Sequence, residues 1–312
     1  MLYSHGLPDG RRMNKLMAME CFVHAVETGS FSATARVLGI GQPNVSRYIA
    51  SLEQSVGKRL LHRSSRGLVM THEGQLYYAQ ARQALDLIEQ AESDARGEHH
   101  PQGLLRVACS ESLGTEVIID ALPSFLERYP DVDVDLRLDD AYVDMMADGL
   151  DLAIRGGILS DSSLRARHIG NSRRIYVAST DYLRRHGMPE KPEDLSHHQC
   201  ILYSQMSRPF IWPFKDTEVR VSGRMRVNNL RGARRAALDG IGIAYLPSWM
   251  VSEELAQGSL QSVLGEHAID VTPLHAVYIS QRLLPQRTIV FIDYLAAVFD
   301  AIPGLARPHR SG

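Results

Sequence analysis

From Leu16 the apolar residues run Leu16, Met19, Phe22, Val23, Val26, a stripe along one helix face that Gly29 closes. A second short helix follows through Ala33, Ala35, Val37 and Leu38, capped by Ser30 or Ser32 and ended by Gly39. Val45, Tyr48, Ile49, Leu52 and Val56 then mark a third helix, with Pro43 in its first turn and Gly57 at its end. Residues 58–70 read as two short strands turning at Ser64–Gly67, and Thr71 caps a long helix. Tyr77, Ala81, Ala84, Ile88, Ala91 and Ala95 recur along it at alternating spacings of four and three, a helix-pairing seam about 35–40 Å long.

Beyond the Gly/His/Pro-containing stretch 97–103 the period changes to alternating strands and helices. Strands are expected at Leu105–Cys109, Val132–Leu138, Leu152–Arg155, Ile175–Ser179, Cys200–Leu202, Arg220–Val227, Gly242–Leu246 and Ala276–Ser280. Helices are expected at Leu113–Tyr129, Tyr142–Gly149, Leu230–Asp239, Pro247–Gln257 and Pro285–Phe299. This order predicts an α/β domain with a mostly parallel sheet. Nearly 200 residues are many for one such sheet, so two lobes with a cleft are expected.

Composition changes this picture in one respect. The 312 residues carry a net charge of −2, which argues against a uniformly basic nucleic-acid binder. The total hides an asymmetry. Residues 1–75 hold nine basic and five acidic residues (+4), and the remainder holds 25 basic and 31 acidic residues (−6). A basic N-terminal part points to nucleic acid. The three cysteines, Cys21, Cys109 and Cys200, are widely spaced in apolar surroundings, so neither a disulfide framework nor a zinc site is expected. No apolar run reaches membrane-spanning length, and residues 1–13 read as an unstructured leader with no apolar core. A cytoplasmic protein without a membrane partner is expected.

The first three helices meet the requirements of a helix-turn-helix. The third buries Val45, Tyr48, Ile49 and Leu52 and offers Gln42, Asn44, Ser46 and Arg47 on its free face. Gln and Asn pair bidentately with adenine, and Arg with guanine. Arg63, Ser64 and Arg66 fall at the tip of a wing, suited to phosphate or the minor groove.

The segment SFSATARVLGIGQPNVSRYIASLEQSVGKRLLHRSSRGLVMTHEG resembles the winged helix-turn-helix of LysR-type transcriptional regulators. The matching residues are Ala33, Leu38, Gln42, Pro43, Val45, Ser46, Leu52, Glu53, Gly57, Leu60, Arg63, Thr71 and Gly74. Three positions depart from the pattern: Gly41 removes a possible cap, and Val56 and Leu61 change packing. The resemblance continues to about residue 300 through FLERYPDVDVDLRLDD, the DLAIRGG run, NNLRGARRAALDGIGIAYLP and FIDYLAAVF. It implies an N-terminal all-α winged helix-turn-helix with a long linker helix, and a C-terminal α/β two-lobed domain resembling periplasmic solute-binding proteins. The implied domains are a leader (1–13), the DNA-binding domain (14–74), the linker helix (75–97), a hinge (98–103) and the regulatory domain (104–303), with a tail at 304–312. Lobe I is expected at about 104–178 and 276–303, and lobe II at 179–275. The implied DNA-binding residues are Ser32, Gln42, Pro43, Asn44, Ser46, Arg47, Arg63, Ser64 and Arg66.

In open α/β sheets ligands lie beyond the carboxyl ends of the strands. That places Ser110, Ser112, Arg155, Gly156, Tyr203, Asn228 and Asn229 as candidate effector-binding residues. Hydroxyls, a helix N-terminus and Arg155 suit a carboxylate-bearing metabolite. Glu111 suits an amine or neutral ligand instead, Arg155 equally suits an ion pair with Asp144 or Asp151, and Asn228 equally suits a helix cap. GxSxG, GxxxxGK, HExxH and strand-following GxGxxG patterns are absent, so no enzyme, cofactor or metal is expected. The expected partners are a double-stranded DNA operator, a small-molecule effector of unknown identity, further copies of the chain as homodimer or homotetramer, and RNA polymerase if it activates. The rival reading is a solute-binding protein without DNA function.

Overall fold

The structure is a computed structural model that describes residues 14–64, 67–96, 100–141, 144–145, 148–157, 164–268, 271–279 and 284–307. Contacts divide the chain into two units, Met1–His100 with Met146–Gly149, and Pro101–Met145 with Leu150–Gly312. The leader expected at residues 1–13 lies outside the described residues.

The first unit contains α1 (Lys15–Thr28), α2 (Phe31–Val37), α3 (Gln42–Val56), the hairpin β1 (Leu61–Ser64) and β2 (Gly67–Met70), and α4 (His72–Arg96). Of the two serines that can cap α2, Ser30 is the one used: its side chain accepts the Ala33 N–H at 3.5 Å. Gly39 takes φ +65° between α2 and α3, a left-handed value that favours glycine. Phe22, fully buried, packs among Val45, Ile49, Leu52 and Leu60 and meets Tyr77 and Tyr78 edge-on at 5.6 and 6.5 Å.

Side chains from distant turns fix the hairpin. Glu53 Oε1 accepts the N–H groups of Leu60 (2.8 Å) and Leu61 (3.1 Å), closing the loop after α3. Thr71 donates its hydroxyl to the Arg59 carbonyl at 2.8 Å and accepts the Gly74 N–H at 2.9 Å. A Cβ at position 74 would lie 2.1 Å from the Leu60 carbonyl oxygen, so only glycine fits there. The Leu-Glu and Thr-x-x-Gly signatures are therefore hairpin fasteners.

The α4 seam divides into two parts. Of its residues, Tyr77 and Ala81 belong to the core of their own unit, whereas Ile88 stands exposed at 39%, as do Leu76 (56%) and Leu87 (43%) outside the seam.

The second unit holds two five-stranded sheets. Its elements begin with β3 (Gly103–Cys109), α5 (Glu111–Leu113), a π-turn (Gly114–Ile118), α6 (Ile119–Arg128), β4 (Val132–Leu138), β5 (Leu152–Gly156), β6 (Leu164–Ser172), β7 (Arg174–Ser179) and α7 (Thr180–His186). They continue with β8 (Cys200–Tyr203), β9 (Ile211–Pro213), β10 (Glu218–Arg220), β11 (Met225–Val227), α8 (Leu230–Leu238), β12 (Ile243–Pro247), α9 (Ser252–Gln257), β13 (Leu260–Val263), β14 (Thr272–Ile279) and α10 (Gln286–Asp300). The lobe I sheet has the order β4-β3-β5-β14-β6 and the lobe II sheet β11-β8-β12-β7-β13. Both are mixed, not mostly parallel: β14 runs antiparallel to β5 and β6, and β7 antiparallel to β12 and β13. These antiparallel strands are where the chain crosses between lobes.

The lobe boundaries shift accordingly. The strand at Ile175–Ala178, expected in lobe I, pairs inside the lobe II sheet, so the switch falls at Arg173. All of β14, from Thr272, belongs to lobe I. The polar strand β6 and the β9–β10 hairpin were not expected, and the strand expected over Arg220–Val227 is two short strands. Of the helix expected at Tyr142–Gly149, the described residues 144–145 and 148–149 are not helical. β3 is buried on both faces, and its Arg106 is buried as well, with Nε 3.8 Å from Asp135. Lobe I centres on Phe125, Phe291 and Phe299 over β3 and β5, and lobe II on Tyr176, Trp212 and Phe214 on one side of its sheet. The three cysteines are buried free thiols, and burial raises them to about 11 (Cys21) and about 12 (Cys109 and Cys200).

Candidate functional site

On the first unit the helix-turn-helix leaves one polar surface bare. Val45, Ile49 and Leu52 turn inward, and Gln42, Pro43, Asn44 and Arg47 remain exposed, with Ser46 half-buried beside them. Gly41 occupies the cap position of α3 and makes no side-chain cap bond. Arg47 Nη2 donates to Asn44 Oδ1 at 3.0 Å, and its guanidinium lies 5.9 Å from the Tyr48 ring centroid. The two polar groups therefore share one orientation on one turn of α3. Ser32 and Gln42 meet Ser30, Gly67 and Leu68 around a notch of about 320 Å³, which joins the starts of α2 and α3 to the hairpin. For Arg63 and Ser64 the structure describes the backbone, paired with Leu68 and Gly67. Arg66 lies outside the described residues.

In the second unit a cavity of about 360 Å³ opens between the two sheets. Four of the expected residues line it: Ser110, Ser112, Gly156 and Tyr203. Arg155, Asn228 and Asn229 are not among its lining residues. Asn229 is the cap of α8, its Oδ1 accepting the Gly232 N–H at 2.6 Å. The capping role falls to Asn229, one residue later than expected. The helix N-terminus at Ser110 is also partly used, because Asp140 Oδ1 accepts the Glu111 N–H at 3.0 Å. The Ser110 side chain makes no cap bond and faces the cavity.

Sequence reasoning missed the cavity's cation and most of its aromatic wall. Arg174, Tyr245 and Trp249 line it beside Tyr203. The Arg174 guanidinium lies 5.5 Å from the Tyr245 ring centroid. Tyr245 stacks in turn on Tyr176 (4.7 Å between centroids), and Tyr176 on Phe214 (4.5 Å). Burial lowers the Arg174 pKa against the raising influence of Tyr245, Tyr203 and Asp140. Burial likewise raises the Tyr203 and Tyr245 hydroxyls, so both are neutral donors at physiological pH. Two further lining groups, Ser112 Oγ and Trp249 Nε1, are buried without a hydrogen-bond partner among the described residues. The one signal for Arg174 in the sequence was the Arg173–Arg174 pair at the entry to the apolar run Ile175–Ala178.

Comparison with known proteins agrees with this division. Residues 16–75 match the bacterial regulatory helix-turn-helix family of lysR type, and residues 98–300 match the LysR substrate binding domain. The chain is 35% identical over 279 residues to the HTH-type transcriptional regulator CrgA of Neisseria meningitidis, covering 88% of this chain and 93% of that one. It is 34% identical over 294 residues to the HTH-type transcriptional activator AaeR of Escherichia coli, covering 92% and 94%. The solved structure of CrgA superposes with a TM-score of 0.59 at 32% identity, over 92% of this chain and 99% of that one. A full-length OxyR variant from Pseudomonas aeruginosa superposes at 0.72 over 95% and 97%; at 14% identity this concerns the fold alone.

Proposed function

The chain belongs to the LysR family of transcriptional regulators, and from that premise we propose that α3 reads an operator while the cavity of the second unit holds the effector. It is a regulator with a helix-turn-helix DNA-binding domain and an effector-binding domain. The observation that carries the reading of the DNA face is the bare polar turn of α3, where Gln42, Asn44 and Arg47 project beside a fully buried Val45. Gln and Asn recognise adenine and Arg recognises guanine in the major groove. Ser32 and Gln42 at the notch, with Pro43 and Ser46 alongside, suit phosphate and sugar contacts, and Arg63, Ser64 and Arg66 suit the wing's contacts.

The exposed Leu76, Leu87 and Ile88 on α4 favour pairing of two copies, as homodimer or within a homotetramer. A two-fold pair places its half-sites one helical turn or a multiple apart. An effector that binds two lobe arrangements unequally shifts their populations and with them the operator affinity. RNA polymerase is the partner if the regulator activates. The reading needs neither cofactor nor catalysis, and it places the protein in the cytoplasm with its DNA. A solute-binding role without DNA leaves the polar face of α3 without a purpose.

Footprinting with the full chain tests this: protection is expected in spaced, inverted half-sites. Arg47→Ala is expected to cost about 1–3 kcal/mol of binding and to relax preference at one base pair. Arg63→Ala is expected to weaken binding to all sequences and to flatten the salt dependence. Wild-type affinity in both variants, or a monomer that gives no footprint, overturns the assignment.

A further inference from the structure

We propose that His168 and His275 form a site for a divalent transition-metal ion, Zn2+ first among them, on the two strands by which the chain leaves lobe I and returns to it.

β6 ends at Ser172, just before the chain crosses into lobe II, and β14 starts at Thr272, just after it returns. His168 and His275 are direct partners across this antiparallel pair, at the register shift beside Leu274. Such partners point to the same face of a sheet. Their ring centroids lie 5.7 Å apart, with the rings tilted by 57°. With metal–nitrogen bonds of about 2.0–2.1 Å an ion sits about 3.2 Å from each centroid, so this spacing corresponds to a nitrogen–metal–nitrogen angle of about 125°. A closure of about 0.5 Å brings that angle to the tetrahedral value.

The hydrogen bonds leave the same nitrogen free on both rings. Asn171 Nδ2 donates to the Ala306 carbonyl at 3.1 Å, so its Oδ1 is the acceptor that faces His168 Nε2 at 3.1 Å. His168 therefore carries its proton on Nε2 and a lone pair on Nδ1. The Gly157 backbone hydrogen-bonds His275. His275 Nδ1 is buried without a partner among the described residues, so that bond lies on Nε2. An imidazole that ligates a metal donates its other N–H to just such an oxygen, which fixes the ring and its tautomer. Burial and the neighbouring His168 also lower the His275 pKa, which favours the neutral ring that a metal needs.

Two imidazole nitrogens without a carboxylate suit Zn2+, Ni2+ or Cu2+, and not the oxygen-seeking Mg2+ or Ca2+. Among the described residues no three His, Cys, Asp or Glu side chains gather, so water completes the shell. Arg155, the register neighbour of His275 on β5, adds positive charge on that side. Two ligands beside a cation give an expected Kd of about 10–100 µM. The two histidines are far apart in sequence and follow no metal-ligand spacing, so no motif marks them. A bound ion would fasten the outgoing strand to the returning one.

The test titrates the metal-free full chain with Zn2+ and follows binding calorimetrically. His168→Gln and His275→Gln are each expected to weaken binding at least about tenfold, and His197→Gln, at an exposed histidine of lobe II, to leave it unchanged. At a Zn2+ concentration about ten times the Kd, the second unit's melting transition is expected to rise by roughly 3–6 °C. That rise should vanish in His168→Gln. His168 is exposed, so its replacement keeps the fold and gives a reading even where His275→Gln does not fold. Mg2+ is expected to produce neither heat nor shift. Zn2+ binding retained in His168→Gln overturns the proposal, and so does an equal response to Mg2+. The absence of saturable Zn2+ binding below about 1 mM overturns it as well.

Discussion

The DNA-reading unit and the sensing cavity use their polar residues in opposite ways. In the first unit the polar residues of the motif are fastened to their own backbone. Glu53 takes two N–H groups, Thr71 bridges Arg59 and Gly74, and Ser30 caps α2. In the cavity two donors are left idle: Ser112 Oγ and Trp249 Nε1 are buried without a hydrogen-bond partner among the described residues, beside an Arg174 that packs on the Tyr245 ring. The difference teaches where stability and function separate. A surface that reads DNA is presented rigidly in advance, whereas a ligand site keeps donors unsatisfied until a ligand arrives.

Glu53→Ala should give the largest effect. It strips acceptors from the N–H groups of Leu60 and Leu61, two buried residues, in a site where the carboxylate is only 12% exposed. Hydrogen bonds to a charged group contribute roughly 1.5–3 kcal/mol, so the first unit is expected to lose about 2–4 kcal/mol in chemical denaturation. DNA binding should fall with it, while ligand binding by the second unit persists. A loss below about 0.5 kcal/mol would mean that the hairpin is held by its core alone, and the contrast would lose its first half.

The second unit supplies a matched pair. Asn229→Ala removes a helix cap and is expected to cost about 1 kcal/mol. Ser112→Ala removes a buried hydroxyl that has no hydrogen-bond partner among the described residues and is expected to leave stability unchanged or raise it by up to about 1 kcal/mol. Denaturation curves of the two variants, measured without ligand, should move in opposite directions. Ser112→Ala with a loss as large as that of Asn229→Ala would show that Ser112 is a structural group after all.

The same contrast explains what was legible in the sequence. Much of the first unit could be read because its element boundaries are marked locally: Gly39 and Gly57 end α2 and α3 with positive φ, and Thr71 caps α4 through the Gly74 N–H three residues on. Helical period located α1, α3 and α4, and Ser32, Gln42, Asn44 and Arg47 are on the surface that the period predicts. The cavity is assembled from positions 110 to 274, and no spacing rule links them. Ser110, Ser112, Gly156 and Tyr203 were found because they follow strands. Arg174 was missed because it begins one, β7, the first strand after the chain crosses between lobes, which runs antiparallel to β12. The strand-end rule assumes a parallel sheet, and it fails where the sheet is mixed. Strand β6 was missed because LRARHIGNS alternates poorly, as an edge strand can.

The smallest effect separates the two units by the sign of their response to acid. In α1, His24 Nδ1 lies 3.3 Å from Glu27, and that hydrogen bond raises the imidazole pKa above its ordinary 6.5 against the opposing effect of burial. A raised pKa contributes stability that is complete below 6.5 and is lost as pH rises through the folded value. The side chain is 35% exposed, so after screening the gain is only a few tenths of a kcal/mol. In lobe II, His198 is buried with Nδ1 3.2 Å from the Tyr182 hydroxyl, and burial lowers its pKa, aided by His186 and His197 against Asp194. A lowered pKa contributes stability that is complete above 6.5 and is lost as pH falls through the folded value. Acidification from about pH 7.5 to about pH 6 is therefore expected to raise the first unit's melting transition and to lower the second's. Calorimetry can assign the two transitions, because Glu53→Ala should move only the first. His24→Gln should abolish the first unit's response and leave the second's intact. Transitions that shift together would mean that a group shared by both units, and not these two histidines, sets the response to acid.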